Sequence, residues 1–177
     1  MTRAKLATVW LDGCSGCHMS FLDIDERLLA LAESIELVYS PLVDNKVFPD
    51  DVDVTLVEGS VSNQDDLDKI RHIRQRTRLL VSLGDCAVMG NVPALRNTIG
   101  GDAVLRRVYL APDLTNPAIP TAGVPSLLPE VLPVHRVVKV DVFIPGCPPS
   151  AEVIFYAVGE LLAGRQPDLT DKTRFGA

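Results

Sequence analysis

The sequence predicts an α/β fold, a flavodoxin-like doubly wound parallel sheet with a Pro-rich insertion. Two observations carry that expectation and a third sets its size. Short aliphatic or β-branched runs recur along the chain, and amphipathic helical patterns fall between them. Strands that alternate with helices form a parallel sheet with right-handed crossovers and helices on both faces. The 177 residues, 47% of them hydrophobic, supply one sizeable core, which makes residues 1–177 a single domain.

The first strand is "LATVWL" (6–11). After it Phe21, Ile24, Leu28, Leu31, Ala32 and Ile35 recur at three- and four-residue spacing, with Asp23, Glu26, Arg27 and Glu33 opposite, the pattern of an amphipathic helix. "IELVYS" (35–40) and "DVTLVEG" (53–59) are the second and third strands. "SNQDDLDKIRHIRQR" (62–76) opens on cap-type residues with Asp65 and Asp66 early and closes with Arg74 and Arg76, charges that complement a helix dipole at both ends and predict a surface helix. "RLLVSLG" (78–84) and "VVKVDVFIP" (137–145) complete the strands. After Pro149, Val153, Ile154, Ala157, Val158, Leu161 and Leu162 form a stripe that ends at Gly164, a C-terminal cap. Strand order 2-1-3-4-5 is the most economical arrangement. The stretch "LAPDLTNPAIPTAGVPSLLPEVLPVH" (110–135) carries six prolines, so it is neither a long helix nor a central strand. A stretch of that length without regular structure is usually functional.

Composition excludes several classes of partner. The net charge is −6 and the pI about 5.0, the reverse of the basic footprint of a nucleic-acid binder. No uncharged apolar run approaches the roughly 18 residues of a membrane-span candidate. The opening "MTRAKLATVWLDG" has a short apolar stretch ending in Asp12 and no twin-arginine pair, so the chain is expected to be cytoplasmic, with reduced cysteines. Mean hydropathy is +0.20, high for a chain without a span, which points to apolar surface covered by partner subunits.

All four cysteines fall just beyond the carboxyl ends of predicted strands. Cys14 and Cys17 follow the first strand in "GCSGC", Cys86 follows the fourth in "SLGDC", and Cys147 follows the fifth in "FIPGCPP". Open α/β sheets place their ligands at this edge. Four convergent thiols in a reducing compartment suit zinc or an iron–sulfur cluster. Zinc sites usually pair two Cys-x-x-Cys knuckles, whereas here one pair joins two isolated cysteines in Gly- or Pro-rich turns. Gly13, Gly16, Gly84 and Gly146 allow close approach, with N–H groups available to cluster sulfides, and a Cys–Pro step also follows cluster ligands in bacterial ferredoxins. Two other readings stand beside these: small buried hydrophobes, and a thiol–disulfide exchanger that leaves Cys86 and Cys147 unexplained.

"CSGCHMSFLDIDERL" (14–28), "EGSV" (58–61), "LGDCAVMGNVPALRN" (83–97) and "VDVFIPGCPPS" (140–150) resemble the small subunits of [NiFe] hydrogenases, in particular the short cytosolic NAD-reducing kind. The resemblance implies that Cys14, Cys17, Cys86 and Cys147 hold one [4Fe–4S] cluster proximal to a nickel–iron site in a large subunit, and that electrons pass on to iron–sulfur and flavin diaphorase subunits that reduce NAD⁺. It implies no catalytic residue in this chain. The cluster-bearing subunit of complex I is similar in its "PGCPP" turn but has adjacent cysteines in place of the spaced pair. Periplasmic hydrogenase small subunits add a leader and ligands for two more clusters, and the coenzyme F420-linked group adds ferredoxin-like motifs. Here one cluster is expected.

Three further residues are candidates of lesser weight. The family's glutamate matching Glu58 sits near the proximal cluster, which implies proton transfer or tuning of the cluster; a solvated strand-end acid is the plain alternative. His18 is expected to touch a sulfur or a partner chain, or to be a partly buried structural histidine. His72, on the charged helix, is expected to be solvated. The Gly-rich turns also suit an FMN phosphate, and the sequence leaves FMN open. It contains neither Gly-x-Gly-x-x-Gly nor a P-loop, which assigns NAD to another subunit.

Overall fold

The computed structural model describes residues 3–173 and 175. Its strands are β1 (Ala4–Trp10), β2 (Ile35–Tyr39), β3 (Val52–Glu58), β4 (Val61–Asn63), β5 (Thr77–Leu83), β6 (Leu127–Leu132) and β7 (Val142–Ile144). Its α-helices are α1 (Gly16–Leu22), α2 (Arg27–Ser34), α3 (Gln64–Arg74), α4 (Gly84–Met89), α5 (Gly101–Tyr109) and α6 (Ala151–Leu162). Five strands form one parallel sheet in the order β2-β1-β3-β5-β7. That is the expected order 2-1-3-4-5 once the separate antiparallel ribbon β4–β6 is set aside.

Side chains alternate across the sheet, as the period-2 geometry of a strand requires. Leu6, Val54, Leu56, Val81, Leu83 and Ile144 pack on one face with Phe21 of α1, Leu31 of α2 and the Val153, Ile154, Ala157, Val158 and Leu161 stripe of α6. Ala7, Val9, Val57 and Leu80 pack on the other with Ile70 and Ile73 of α3 and Ala87 of α4. The sheet is therefore doubly wound. Full burial of each such aliphatic side chain contributes about 1.5–3 kcal/mol, so both layers are needed.

The structure corrects the sequence reading in four places. The helix expected after the first strand is two helices, parted at Asp25, whose φ is +55°. A short Asp tolerates the left-handed region where most residues do not. Phe21, Ile24, Leu31 and Ile35 still face inward, while Ala32 is exposed. The last sheet strand covers Val142–Ile144 and not 137–145. Upstream, the amides of Val137 and Val138 bond back to Val134 O in a 3₁₀ turn, and Asp141 takes the Leu80 amide on its side chain, so ladder pairing begins at Val81↔Val142. The 110–135 stretch does contain a strand, β6, with Pro129 where the β4–β6 register slips, a position that tolerates the missing N–H. Finally, α4 and α5 lie outside every helix predicted from periodicity; none of the residues of α5 is buried.

The remaining helix signals hold. Asn63 caps α3 by accepting from Asp66 N at 2.9 Å, Ser150 caps α6, and Gly164 closes it at φ +72° with its amide on Leu161 O. No helix among the described residues is long and apolar enough to cross a membrane.

Candidate functional site

Four neighbouring strands, β1, β3, β5 and β7, end at one edge of the sheet, and each delivers a group there. The turn after β1 carries Cys14 and leads into α1 with Cys17. β3 ends in Glu58, β5 runs into α4 with Cys86, and β7 is followed by Cys147. The Cys147–Pro148 peptide is cis. All four cysteines are free thiols; Cys14 and Cys147 are exposed, Cys86 is half-buried and Cys17 is buried.

Backbone bonds clasp these turns in pairs. Asp12 N donates to Ser60 O at 3.0 Å and Ser60 N to Asp12 O at 2.8 Å, tying the β1 turn to the β3 turn. The contact is so close that a Cβ on Gly59, at φ +92°, would lie 2.8 Å from the Leu11 carbonyl carbon, which leaves glycine as the residue that fits. On the other side Asp85 N donates to Gly146 O at 2.9 Å and Gly146 N to Asp85 Oδ1 at 2.7 Å, joining the Cys86 and Cys147 turns. Between the two clasps sits Gly84, at φ +81°, where a Cβ would overlap the Cys17 Sγ. Asn91 Nδ2 donates to Cys147 Sγ at 3.3 Å.

The expectation for Glu58 and His18 resolves in favour of burial. Both are only 2% exposed, so Glu58 is not a solvated acid. Its Oε2 accepts from His18 N at 2.9 Å and its Oε1 from Cys17 N at 3.3 Å, which satisfies two orphan amides in the first turn of α1. The nominal cap residue, Ser15, is left-handed at φ 69° and makes no side-chain cap. The carboxylate from β3 therefore does the capping. His18 Nδ1 bonds Glu58 Oε2, and His18 Nε2 bonds Thr8 Oγ1 at 3.1 Å. Thr8 in turn bonds Ser40 Oγ at 2.8 Å. Thr8 and Ser40 are functional candidates that the sequence reading missed. His72 lies apart, exposed on α3, bonded to Arg76 and edge-on to Phe48.

Electrostatics ties the four thiols together. Burial first, then Glu58, then Cys86, Cys14 and Cys147 push the Cys17 thiol far above its ordinary range. Burial, followed by Cys147, Cys14 and Glu58, pushes Cys86 up to about 11. Negative charge on Cys14, Cys86 or Cys147 is thus felt at Cys17, and charge on Cys14 or Cys147 at Cys86, as like charges in one neighbourhood require. Among the described residues no three His, Cys, Asp or Glu side chains converge at the spacing of a single metal ion.

Comparison with known proteins follows the same residues. The family model described as NADH ubiquinone oxidoreductase, 20 Kd subunit, matches residues 14–161. The chain is 40% identical over 172 residues to the NAD-reducing hydrogenase HoxS subunit delta of Cupriavidus necator, covering 94% of this chain and 82% of that one. It is 38% identical over 170 residues to a subunit of the vhu F420-non-reducing hydrogenase of Methanocaldococcus jannaschii, covering 95% of this chain but 59% of that longer relative. A chain in a crystal structure of an NAD⁺-reducing [NiFe]-hydrogenase in the H₂-reduced state superposes with a TM-score of 0.94 at 41% identity, over 98% of this chain and 99% of that one. The resemblance read from the cysteine motifs is borne out. With the match running from the first cysteine to the end of α6, the chain belongs to the family of the NADH ubiquinone oxidoreductase 20 Kd subunit.

Proposed function

We propose that this chain is the electron-transfer small subunit of an NAD-reducing [NiFe] hydrogenase, in which Cys14, Cys17, Cys86 and Cys147 hold one [4Fe–4S] cluster beside a large subunit that carries nickel and iron. The observation that carries the reading is the arrival of all four cysteines at one edge of the sheet, in a chain that is 40% identical to a subunit of an NAD-reducing hydrogenase. The residues present fit the cluster. Four sulfur donors are free, Gly84 leaves the space a Cβ would take from Cys17, and Asn91 already donates to Cys147 Sγ, the kind of bond that steadies a cluster ligand. The Cys17 thiol feels the charge of the other three and the Cys86 thiol that of Cys14 and Cys147, as donors to one shared centre would. Bound there, the cluster would supply one-electron transfer between the nickel–iron site and the iron–sulfur and flavin diaphorase subunits.

This chain's own residues have definable tasks. The raised thiols of Cys17 and Cys86 must lose their protons on ligation, so loading releases protons. The clasps through Asp12, Ser60, Asp85 and Gly146 hold the ligand turns in place. Cys14 and Cys147 are exposed, and Met19 on α1 and Met89 on α4 are 55% and 50% exposed. An open, apolar-rimmed edge of this sort suits coverage by a large subunit, with an interface in the range of obligate assemblies, above about 2,000 Å². A cytoplasmic, reducing location belongs to the same reading.

A second acceptor is favoured by one observation: the F420-non-reducing hydrogenase relative is nearly as similar, at 38% identity. Anaerobic purification of the chain with whatever accompanies it separates these cases. Iron, acid-labile sulfide, a nickel-bearing partner and hydrogen-dependent NAD⁺ reduction are expected. Hydrogen oxidation without NAD⁺ reduction moves the assignment to the second acceptor. Stoichiometric zinc without iron, or a monomer with no nickel-bearing partner, overturns the hydrogenase reading. Flavin extraction from the purified chain decides whether FMN binds here.

A further inference from the structure

The row Ser40–Thr8–His18–Glu58 runs from the end of β2, across β1, through α1 to the end of β3. All four residues are 2% exposed, and each is held by another member of the row. Leu42 N caps its outer end by donating to Ser40 Oγ at 3.1 Å. None of the four side chains bonds a thiol sulfur among the hydrogen bonds of the described residues. Burying four polar side chains in an otherwise aliphatic layer carries a desolvation cost of about 1–3 kcal/mol for any group left unpaired. A core of Val and Leu would avoid that cost altogether. What the row achieves is to fix one carboxylate, so that it takes the amides of both Cys17 and His18.

We propose that Ser40, Thr8 and His18 are positioning residues that lock Glu58 onto the Cys17 and His18 amides, withholding those two donors from the sulfurs and holding a carboxylate beside Cys17, so that the cluster's reduction potential is kept low. Donors to cluster sulfur stabilise the more negative, reduced state and raise the potential; nearby negative charge lowers it. Here the two amides next to a cysteine ligand are spent on Glu58, and both effects act in the same direction. His18 is the hinge of the row, because its two ring nitrogens reach different partners: Nδ1 reaches Glu58 and Nε2 reaches Thr8. This inference rests on the [4Fe–4S] reading above.

The test is potentiometric EPR on the purified, anaerobic complex carrying His18→Leu, His18→Asn, Thr8→Val or Glu58→Gln, with iron and sulfide measured on each. His18→Leu and Glu58→Gln are expected to raise the reduced-to-oxidised ratio at fixed potential about tenfold, equivalent to about 59 mV for a one-electron couple. His18→Asn, whose amide nitrogen replaces Nδ1 alone, is expected to restore most of the wild-type value, and Thr8→Val to shift it in the same direction by less. Exchangeable-proton ENDOR is expected to gain an amide coupling at the cluster in His18→Leu. An intact cluster whose potential is unmoved in His18→Leu and Glu58→Gln overturns the proposal. So does an Asn variant that shifts as far as Leu, since the effect then comes from burial and not from the bond. If His18→Leu loses the cluster, Glu58→Gln and Thr8→Val decide by the same criteria. A wild-type complex without iron fails the cluster reading itself, a distinct result.

Discussion

The cysteine edge and the β6 strand with its neighbour α5 are built on opposite principles. At the cysteine edge, backbone turns touch, glycine is enforced by contact and polar side chains are buried and bonded to one another. Across β6 and α5, Val131 alone is buried. The ribbon is pinned to the rest by a few polar ties: Asn97 pairs with both the N–H and the C=O of Val131, at 2.8 and 2.9 Å, and Arg96 reaches Ser62 O and Leu128 O. A groove of ≈ 850 Å³ lies between α5 and the Pro-rich segment, lined by Leu105, Tyr109, Ile119 and Val124 among others. The contrast teaches where this chain concentrates its rigidity. Geometry is over-determined around the thiols and lightly held in the ribbon.

Substitutions at the two regions are therefore expected to differ in kind as well as in size. The largest effect is expected from Cys86→Ser, which on the proposed reading removes a cluster ligand outright; most of the iron and acid-labile sulfide should be lost, read by metal and sulfide analysis. Next comes reactivity. With Cys86 raised to about 11, its thiolate is scarce at pH 8, so alkylation of that site in the cluster-free chain should run about a hundredfold slower than for an ordinary cysteine and climb as pH rises toward 11. Peptide mapping of timed alkylation checks this.

Smaller effects test packing. Leu56→Ala should cost about 2–5 kcal/mol, as a fully buried β3 residue in a well-packed layer, measured by denaturant melting. Gly84→Ala should cost about 1–3 kcal/mol from overpacking, because the added methyl meets Cys17 Sγ, and on the proposed reading it should also lower the iron content. The smallest is Asn97→Ala, which should cost about 1 kcal/mol, loosen the ribbon in hydrogen exchange and leave the iron content unchanged. Loss of iron in Asn97→Ala would break the comparison.

Much of the fold was legible because it rests on local pattern. Alternating strands and stripes such as Val153 to Leu162 declare which face is buried, and the four sheet-edge cysteines could be located by counting residues after each strand. The rest depends on contacts no window can see. Glu58 and His18 are 40 residues apart and Thr8 and Ser40 are 32 apart, so nothing in the neighbourhood of His18 marks it as the middle of a row. β6 was hidden by Pro129, which reads as a break until its place in a two-stranded ribbon is known. For α5 a signal did exist: Asp102 in the first turn and Arg106 and Arg107 in the last complement a helix dipole, and Val104, Leu105 and Val108 recur at helical spacing on a face that the fold leaves unburied.

The graded depth of the four thiols sets an order for assembly. Cys14 and Cys147 lie at the surface, Cys86 partway in, and Cys17 at the bottom beneath Gly84. On the reading proposed here, a donor protein delivering iron and sulfide meets the two outer thiols first and the inner one last. A large subunit seated on that edge would close the door. Loading must therefore precede docking on that reading, and a small subunit that docked empty could no longer be filled.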